Sequence, residues 1–237
     1  METTVALVTG ASRGLGLAIA RAYAQRGLHL ILTARRQHDL NHVVDELRSK
    51  AEVVALAGDV ADARHAERLV EAGLQRFGRI DVLINNASEL GPSPMPELQE
   101  LSADDFEAIL QVNVIAPLRL SQLVLPGMRA AGRGLIVNVT SDAAVQPYPG
   151  WGGYGASKAA LEHLSRIQAA ELEGSGVRVC VVDPGDMNTA MHAAAEPGVD
   201  LSHLPDPELV APAFVRLLEA SVPSGRFEAQ RLVAARA

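Results

Sequence analysis

Tyr154 and Lys158 stand four residues apart in Tyr154-Gly155-Ala156-Ser157-Lys158, and Ser141 closes the apolar run that ends Val139-Thr140. Residues four apart share one face of a helix, so a phenol and an ammonium would project side by side. A hydroxyl delivered to the same place completes a set able to move a proton on or off a carbonyl or alcohol oxygen. A free tyrosine titrates at about 10, too high for good acid–base work at neutral pH. A lysine one turn away favours the phenolate and is expected to lower that value. Serine at the reacting oxygen would donate a hydrogen bond and stabilise developing charge. Each residue also has an ordinary reading: a tyrosine at a helix start packs, and a lysine is solvated.

A second pattern lies near the N-terminus. The apolar run Val5-Ala6-Leu7-Val8 reads as a buried strand. Thr9-Gly10-Ala11-Ser12-Arg13-Gly14-Leu15-Gly16 follows, and then the helical pattern Leu17 to Ala24. Strand, glycine turn and helix together offer free N–H groups and a positive dipole end to a pyrophosphate. The spacing is G-x-x-x-G-x-G, which differs from the more common G-x-G-x-x-G fingerprint. Alone, the glycines are equally compatible with a tight turn of no chemical role.

With both patterns in one chain, the sequence resembles the short-chain dehydrogenase/reductase family, in its compact single-domain subgroup, from about Thr4 to about Thr189. Further segments fall in the family's order. Asp59-Val60 follows the third apolar run and Asn85-Asn86-Ala87 ends the fourth. Asn113 lies in the helical stretch Gln111–Val114, Ser141 ends the fifth run, and Pro184-Gly185 with Thr189 follows the sixth.

The resemblance implies a hydride exchanged between a nicotinamide and a carbonyl or secondary alcohol. Tyr154 would be the acid and base, and Ser141 would bond the reacting oxygen. Lys158 would hold the nicotinamide ribose, and Asn113 would position a water beside Lys158. The turn residues Gly10, Ser12, Arg13, Gly14, Leu15 and Gly16 would cradle the dinucleotide. Asp59 and Val60 would meet the adenine, and Asn86 and Ala87 the adenosine ribose. Pro184, Gly185, Met187 and Thr189 would lie at the nicotinamide. Where the family usually continues Asn-Ala-Gly, this chain has Ser88, a small residue expected to narrow the path slightly.

Charge bears on the choice of cofactor. NAD binders usually carry an acidic residue at the end of the second strand, for the ribose 2′-OH. Here that position is Ala34, followed by Arg35 and Arg36, and no carboxylate comes before Asp39. Arginine suits a 2′-phosphate through forked, charge-assisted hydrogen bonds. Arg13, Arg35 and Arg36 therefore point to NADP(H), although the last two also fit the start of a solvated helix.

The elements that must position these residues alternate along the chain. Strands are expected at Val5–Thr9, His29–Thr33, Glu52–Ala57, Val82–Asn85, Gly134–Val139 and Val177–Val182, with a last edge strand at Phe227–Val233. Helices are expected near Gly14–Arg26, Arg36–Lys50, Ala63–Phe77, Ala103–Met128, Gly153–Glu173 and Pro207–Ala220. This order predicts an α/β fold: a doubly wound, Rossmann-type parallel sheet of six to seven strands flanked by helices, a single domain over 1–237. Loops at about 88–101 and 186–206 break the alternation. Both follow strand C-termini, where open α/β sheets bind ligands, so they are expected to wall the substrate.

Composition sets the limits. A 25 kDa chain that is 48% hydrophobic can bury one sizeable core. A net charge of −7 argues against nucleic-acid binding. No apolar run reaches the roughly 18 residues of a membrane span, and the immediate first strand leaves no room for a signal peptide. A cytoplasmic protein is expected. The lone Cys180, inside an apolar run, is expected to be a buried packing residue.

Met95, Val145, Tyr148, Trp151 and Met187 flank the catalytic segments, and their mixed apolar character suggests a small or medium neutral carbonyl compound. A catalytically silent NADP(H)-binding regulator or sensor is the competing reading; such a protein should have lost part of Asn113, Ser141, Tyr154 and Lys158, and all four are present. An epimerase or dehydratase would need a longer C-terminal substrate domain. The resemblance further implies a homodimer or homotetramer assembled through the helices at Ala103–Met128 and Gly153–Glu173.

Overall fold

The computed structural model describes residues 3–219 and 222–234. Seven parallel strands form one sheet in the order β3-β2-β1-β4-β5-β6-β7. The strands are β1 Val5–Thr9, β2 His29–Ala34, β3 Val53–Ala57, β4 Val82–Asn85, β5 Gly134–Val139, β6 Val177–Asp183 and β7 Gly225–Glu228. β1 and β4 are buried throughout, as are all but the first residues of β2 and β5. This is why they read as unbroken apolar runs: a parallel sheet covered on both faces has no polar side.

The helices are α1 Gly14–Gln25, α2 Gln37–Leu47, α3 Ala63–Phe77, α4 Ala103–Leu110, α5 Ala116–Ala130, α6 Gly152–Glu171, α7 Ala190–Ala195, α8 Pro207–Arg216 and α9 Ala229–Ala234. Two cores result. One packs Ile19, Tyr23 and Phe214 of α1 and α8 on one face of the sheet. The other packs Leu69, Leu120 and Val124 of α3 and α5 on the opposite face. The strand order reverses between β1 and β4, and the crevice outside the strand C-termini at such a switch point is where doubly wound sheets bind ligands.

The structure corrects the sequence expectation in three places. The stretch Ala103–Met128 is divided by a π-helical segment, Gln111–Ile115, a distortion common at functional sites. By length and composition Ala103–Ala130 would suffice for a membrane span, with a mean hydropathy of 1.5; several of its residues instead pack into the core beneath the sheet. The expected edge strand at Phe227–Val233 is Gly225–Glu228, and Ala229 begins a helix. The polar stretch 186–206 contains the short helix α7, capped by the Thr189 side chain. Ala220, which closes the expected last long helix, lies outside the described residues. Cys180 is fully buried.

Candidate active site

β5 ends at Val139, and a single-turn 3-10 helix, Asp142–Ala144, follows Ser141. α6 then starts at Gly152, so Tyr154 and Lys158 share its first turns. The pairing of β5 with β6 sets Pro184 and Gly185 beside this corner. Ser141, Tyr154, Pro184, Gly185, Met187 and Thr189 line one cleft that opens to solvent. Of the residues expected at the substrate, Trp151 and Met187 line it, and Met95, Val145 and Tyr148 do not. The two walls expected from sequence touch: Ser93 Oγ donates to the Ala194 carbonyl at 2.6 Å.

Lys158 is 2% exposed. Its ammonium donates to the Val139 carbonyl at 2.9 Å and lies 5.4 Å from the centroid of the Tyr154 ring. Burial pushes it down to about 7. Burial also pushes the Tyr154 phenol up to about 12, although the Ser88 and Ser141 hydroxyls bond it and work the other way. The expected lowering by Lys158 is therefore corrected. Desolvation is the largest cause, and the nearby Asp183 and Asp142 carboxylates add to it. In this chain Tyr154 is a neutral phenol at physiological pH.

Ser141 donates its hydroxyl proton to Asp142 Oδ1 at 2.9 Å and accepts from Ala143 N at 3.2 Å. It must turn from Asp142 to donate to a substrate oxygen. Burial works to raise the Asp142 carboxyl, but bonds from Tyr148, Ser141 and Ala143 outweigh it and hold it below the ordinary range.

Asn113 is fully buried, and its side chain is saturated. Oδ1 accepts from Ser88 Oγ at 3.1 Å and Glu89 N at 2.7 Å. Nδ2 donates to Glu89 O at 2.8 Å and Ser157 Oγ at 2.9 Å. An amide offers two donors and two acceptor sites, so a water positioned by Asn113 would have to meet its backbone, not its side chain. Asn113 instead locks the segment after β4 onto α6. Ser88 joins this lock as well as the Tyr154 hydroxyl; a small residue in place of glycine gave no sequence signal of that.

The dinucleotide groove can be tested on the chain itself. Gly14 has φ +54, and a Cβ there would face Thr189 Cγ2 at 3.8 Å, so a side chain would begin to fill the space between turn and loop. Gly16 has no room at all: a Cβ would lie 2.3 Å from the Gly10 carbonyl oxygen. α1 has no side-chain cap and no acidic residue in its first turn, leaving its N–H groups to an anion. These features fit a nicotinamide dinucleotide. Leu15 is buried under the turn and Val60 at the far edge of the groove, while Arg13, Arg35, Arg36 and Asp59 are exposed around it. Asp59 accepts from Ala61 N, and Asp62 caps α3, so capping does not explain Asp59. Ser12 is half-buried in the turn. The Asn86 amide donates to Thr9 O at 2.9 Å, and the backbone N–H groups of Asn86 and Ala87 both bond Thr9 Oγ1. Asn86 thus holds β4 to the glycine turn.

A profile of the family described as short chain dehydrogenase matches residues 4–200. The chain belongs to the short-chain dehydrogenase/reductase family. It is 38% identical over 192 residues to "Dehydrogenase/reductase SDR family member 4" of Bos taurus, covering 80% of this chain and 68% of that one. The structure of a putative short chain dehydrogenase from Pseudomonas syringae superposes with a TM-score of 0.91 at 33% identity, covering 97% and 95% of the two chains. L-sorbose reductase from Gluconobacter frateurii, in complex with NADPH and L-sorbose, superposes at 0.87 with 29% identity, covering 96% and 95%. The protein is thus an NAD(P)-binding oxidoreductase of this family, acting on small molecules.

The sequence did not single out Asp142, Glu162, Asp183 or Arg226. Arg226 of β7 bonds Glu162 Oε1 and Asp183 Oδ2, each at 3.0 Å, and Thr140 also donates to Glu162. Glu162 continues the spacing Tyr154, Lys158, Glu162, the one signal that could have found it.

Proposed function

We propose that this protein is an NADP(H)-dependent carbonyl reductase, reversible as a secondary-alcohol dehydrogenase, with Tyr154 as its acid and base. The observation that carries the reading is Tyr154 itself. Its phenol stays protonated at neutral pH, lies within hydrogen-bonding reach of the Ser88 and Ser141 hydroxyls, and has Lys158 behind its ring. A protonated acid beside a cleft suits protonation of a carbonyl oxygen. Ser141, turned from Asp142, bonds the same oxygen as charge develops there. Lys158, poised at about 7, can take up and release the proton that restores Tyr154.

When bound, the dinucleotide supplies or accepts the hydride. The uncapped end of α1 would hold its pyrophosphate, and Pro184, Gly185, Met187 and Thr189 would seat the nicotinamide. Arg13 and Arg35 would take a 2′-phosphate, since β2 ends in Ala34 with no carboxylate to receive a 2′-hydroxyl. Family membership supports a homodimer or homotetramer through α4, α5 and α6.

Consumption of NADPH over a panel of ketones and aldehydes, with NADH in parallel, tests the reading. Turnover should favour NADPH and fall by about 10²–10⁴-fold in Tyr154→Phe. Tight NADPH binding with no turnover on any carbonyl would favour the silent regulator, and a preference for NADH would remove the argument from Arg13 and Arg35.

A further inference from the structure

The catalytic cleft is negative. Asp142, Asp183 and Asp186 line it with His192, and neither lysine nor arginine does. The two nearest cations are committed elsewhere. Arg226 bonds both Glu162 and Asp183, with Arg166 also 3.8 Å from Glu162. Lys158 is buried behind Tyr154 on a backbone carbonyl. A cleft of one sign with low-dielectric walls focuses its field on whatever enters. A carboxylate, sulfonate or phosphate on a substrate would meet like charge and, among the described residues lining the cleft, neither lysine nor arginine.

A second feature, of different chemistry, points the same way. Trp151 lines the cleft. The ring of Tyr148 lies 6.0 Å from it at 59°, and that of Tyr154 lies 5.9 Å away at 73°. Three rings therefore meet at angles and do not stack face to face. Tyr148, outside the cleft, donates its hydroxyl to Asp142 Oδ2 at 2.7 Å and so ties the Asp142 carboxylate to the ring next to Trp151. Ring faces attract cations, quaternary ammonium groups above all.

We propose that the carbonyl substrate carries an alkylammonium group, seated against Trp151 between Asp142 and Asp186, while its carbonyl oxygen meets Tyr154 and Ser141. This rests on the reductase reading and names the substrate class for it. It replaces the neutral compound suggested by the apolar residues of the sequence, because the three aspartates converge only in the fold.

Trp151 is the chain's single tryptophan, so its fluorescence reports occupancy without turnover. Three ketones that differ only at one end, bearing trimethylammonio, tert-butyl or carboxylate, are titrated against the protein and then assayed with NADPH. The ammonium ketone is expected to bind at least about tenfold more tightly than its tert-butyl isostere, and the carboxylate most weakly. The same order is expected in kcat/KM. Asp186→Asn should shrink the ammonium preference by about threefold or more, and Trp151→Leu should shrink it in kcat/KM. Equal affinity for the ammonium and tert-butyl ketones, tighter binding of the carboxylate, or no binding of the ammonium ketone would overturn the proposal. Turnover of the tert-butyl ketone in those cases would leave the reductase reading standing. Preferential binding of the ammonium ketone with no turnover of any of the three would uphold the cation site and sink the reductase reading instead.

Discussion

Arg35 and Glu89 meet across the end of a strand to which neither belongs. Arg35 follows β2 and Glu89 follows β4, on either side of β1 in the sheet, yet Nη1 and Oε2 are 3.4 Å apart. The pair spans the crevice where a doubly wound sheet takes its dinucleotide. Glu89 is well placed to do so, because Asn113 fixes its backbone at both N–H and C=O.

Glu89 is therefore a competitor for the arginine that a 2′-phosphate needs. Glu89→Gln should tighten NADPH about two- to fivefold, the range of an exposed ion pair, in a titration followed by reduced-nicotinamide fluorescence. The gain should fade as salt screens the wild-type pair. Unchanged or weaker binding at low salt would mean that Arg35 and Glu89 part without cost.

Asn113 should be a stability residue as much as a catalytic one. Asn113→Ala strips partners from Ser88, from both backbone groups of Glu89 and from Ser157, all in a buried site. A loss of about 2–4 kcal/mol is expected, read as a lower denaturant midpoint without dinucleotide present. A midpoint matching wild type would show that water replaces the amide.

How much of this was legible beforehand follows from what each feature depends on. The strands were plain because a doubly covered parallel sheet makes long apolar runs, and Tyr154 with Lys158 was plain because helical spacing is local. The π segment at Gln111–Ile115 was not, since nothing in the run Gln111-Val112-Asn113-Val114 departs from a helical pattern. Arg226, Asp183 and Glu162 come from three elements joined by sheet register, and no sequence period links them. The titration of Tyr154 was misjudged because spacing shows the lysine's proximity and hides the burial that outweighs it.

Lys158 should be kept at a cost in stability. Its pKa is lowered by burial to about 7 from 10.5, so between those values the unfolded chain binds a proton that the folded chain lacks. Stability then rises with pH across that window, and below it the cost is complete. Lys158→Met should abolish turnover yet stabilise the protein at pH 7 by about 1–3 kcal/mol. The gain in Tm should diminish as the pH is raised towards that of a free lysine. A destabilised variant at pH 7 would mean that the bond to Val139 outweighs desolvation.

Among the described residues, Arg226 is the one cation bonded to both Glu162 and Asp183, whose side chains are 4% and 9% exposed. Burial raises the Asp183 carboxyl, and the Gly185 N–H and Arg226 oppose that rise. Arg226→Met would leave the buried Asp183 carboxylate without its cation and Glu162 with only the longer pair to Arg166 at 3.8 Å. The expected loss is about 2 kcal/mol, below the 3–5 of a fully buried pair because 31% of the arginine side chain meets water. The pH dependence gives the sign. Burial already raises the Asp183 carboxyl, and without Arg226 it should titrate higher still in the folded chain than in the unfolded one, so the penalty is present above its folded value and disappears as protonation neutralises it. Melting curves of wild type and variant should therefore lie far apart at pH 8 and converge towards pH 5. Because Asp183 precedes Pro184 and Gly185 directly, the same variant should weaken NADPH binding at pH 8 and recover part of it at lower pH. A difference in Tm independent of pH would show that Arg226 acts through packing of its stem and that the ion triad contributes little.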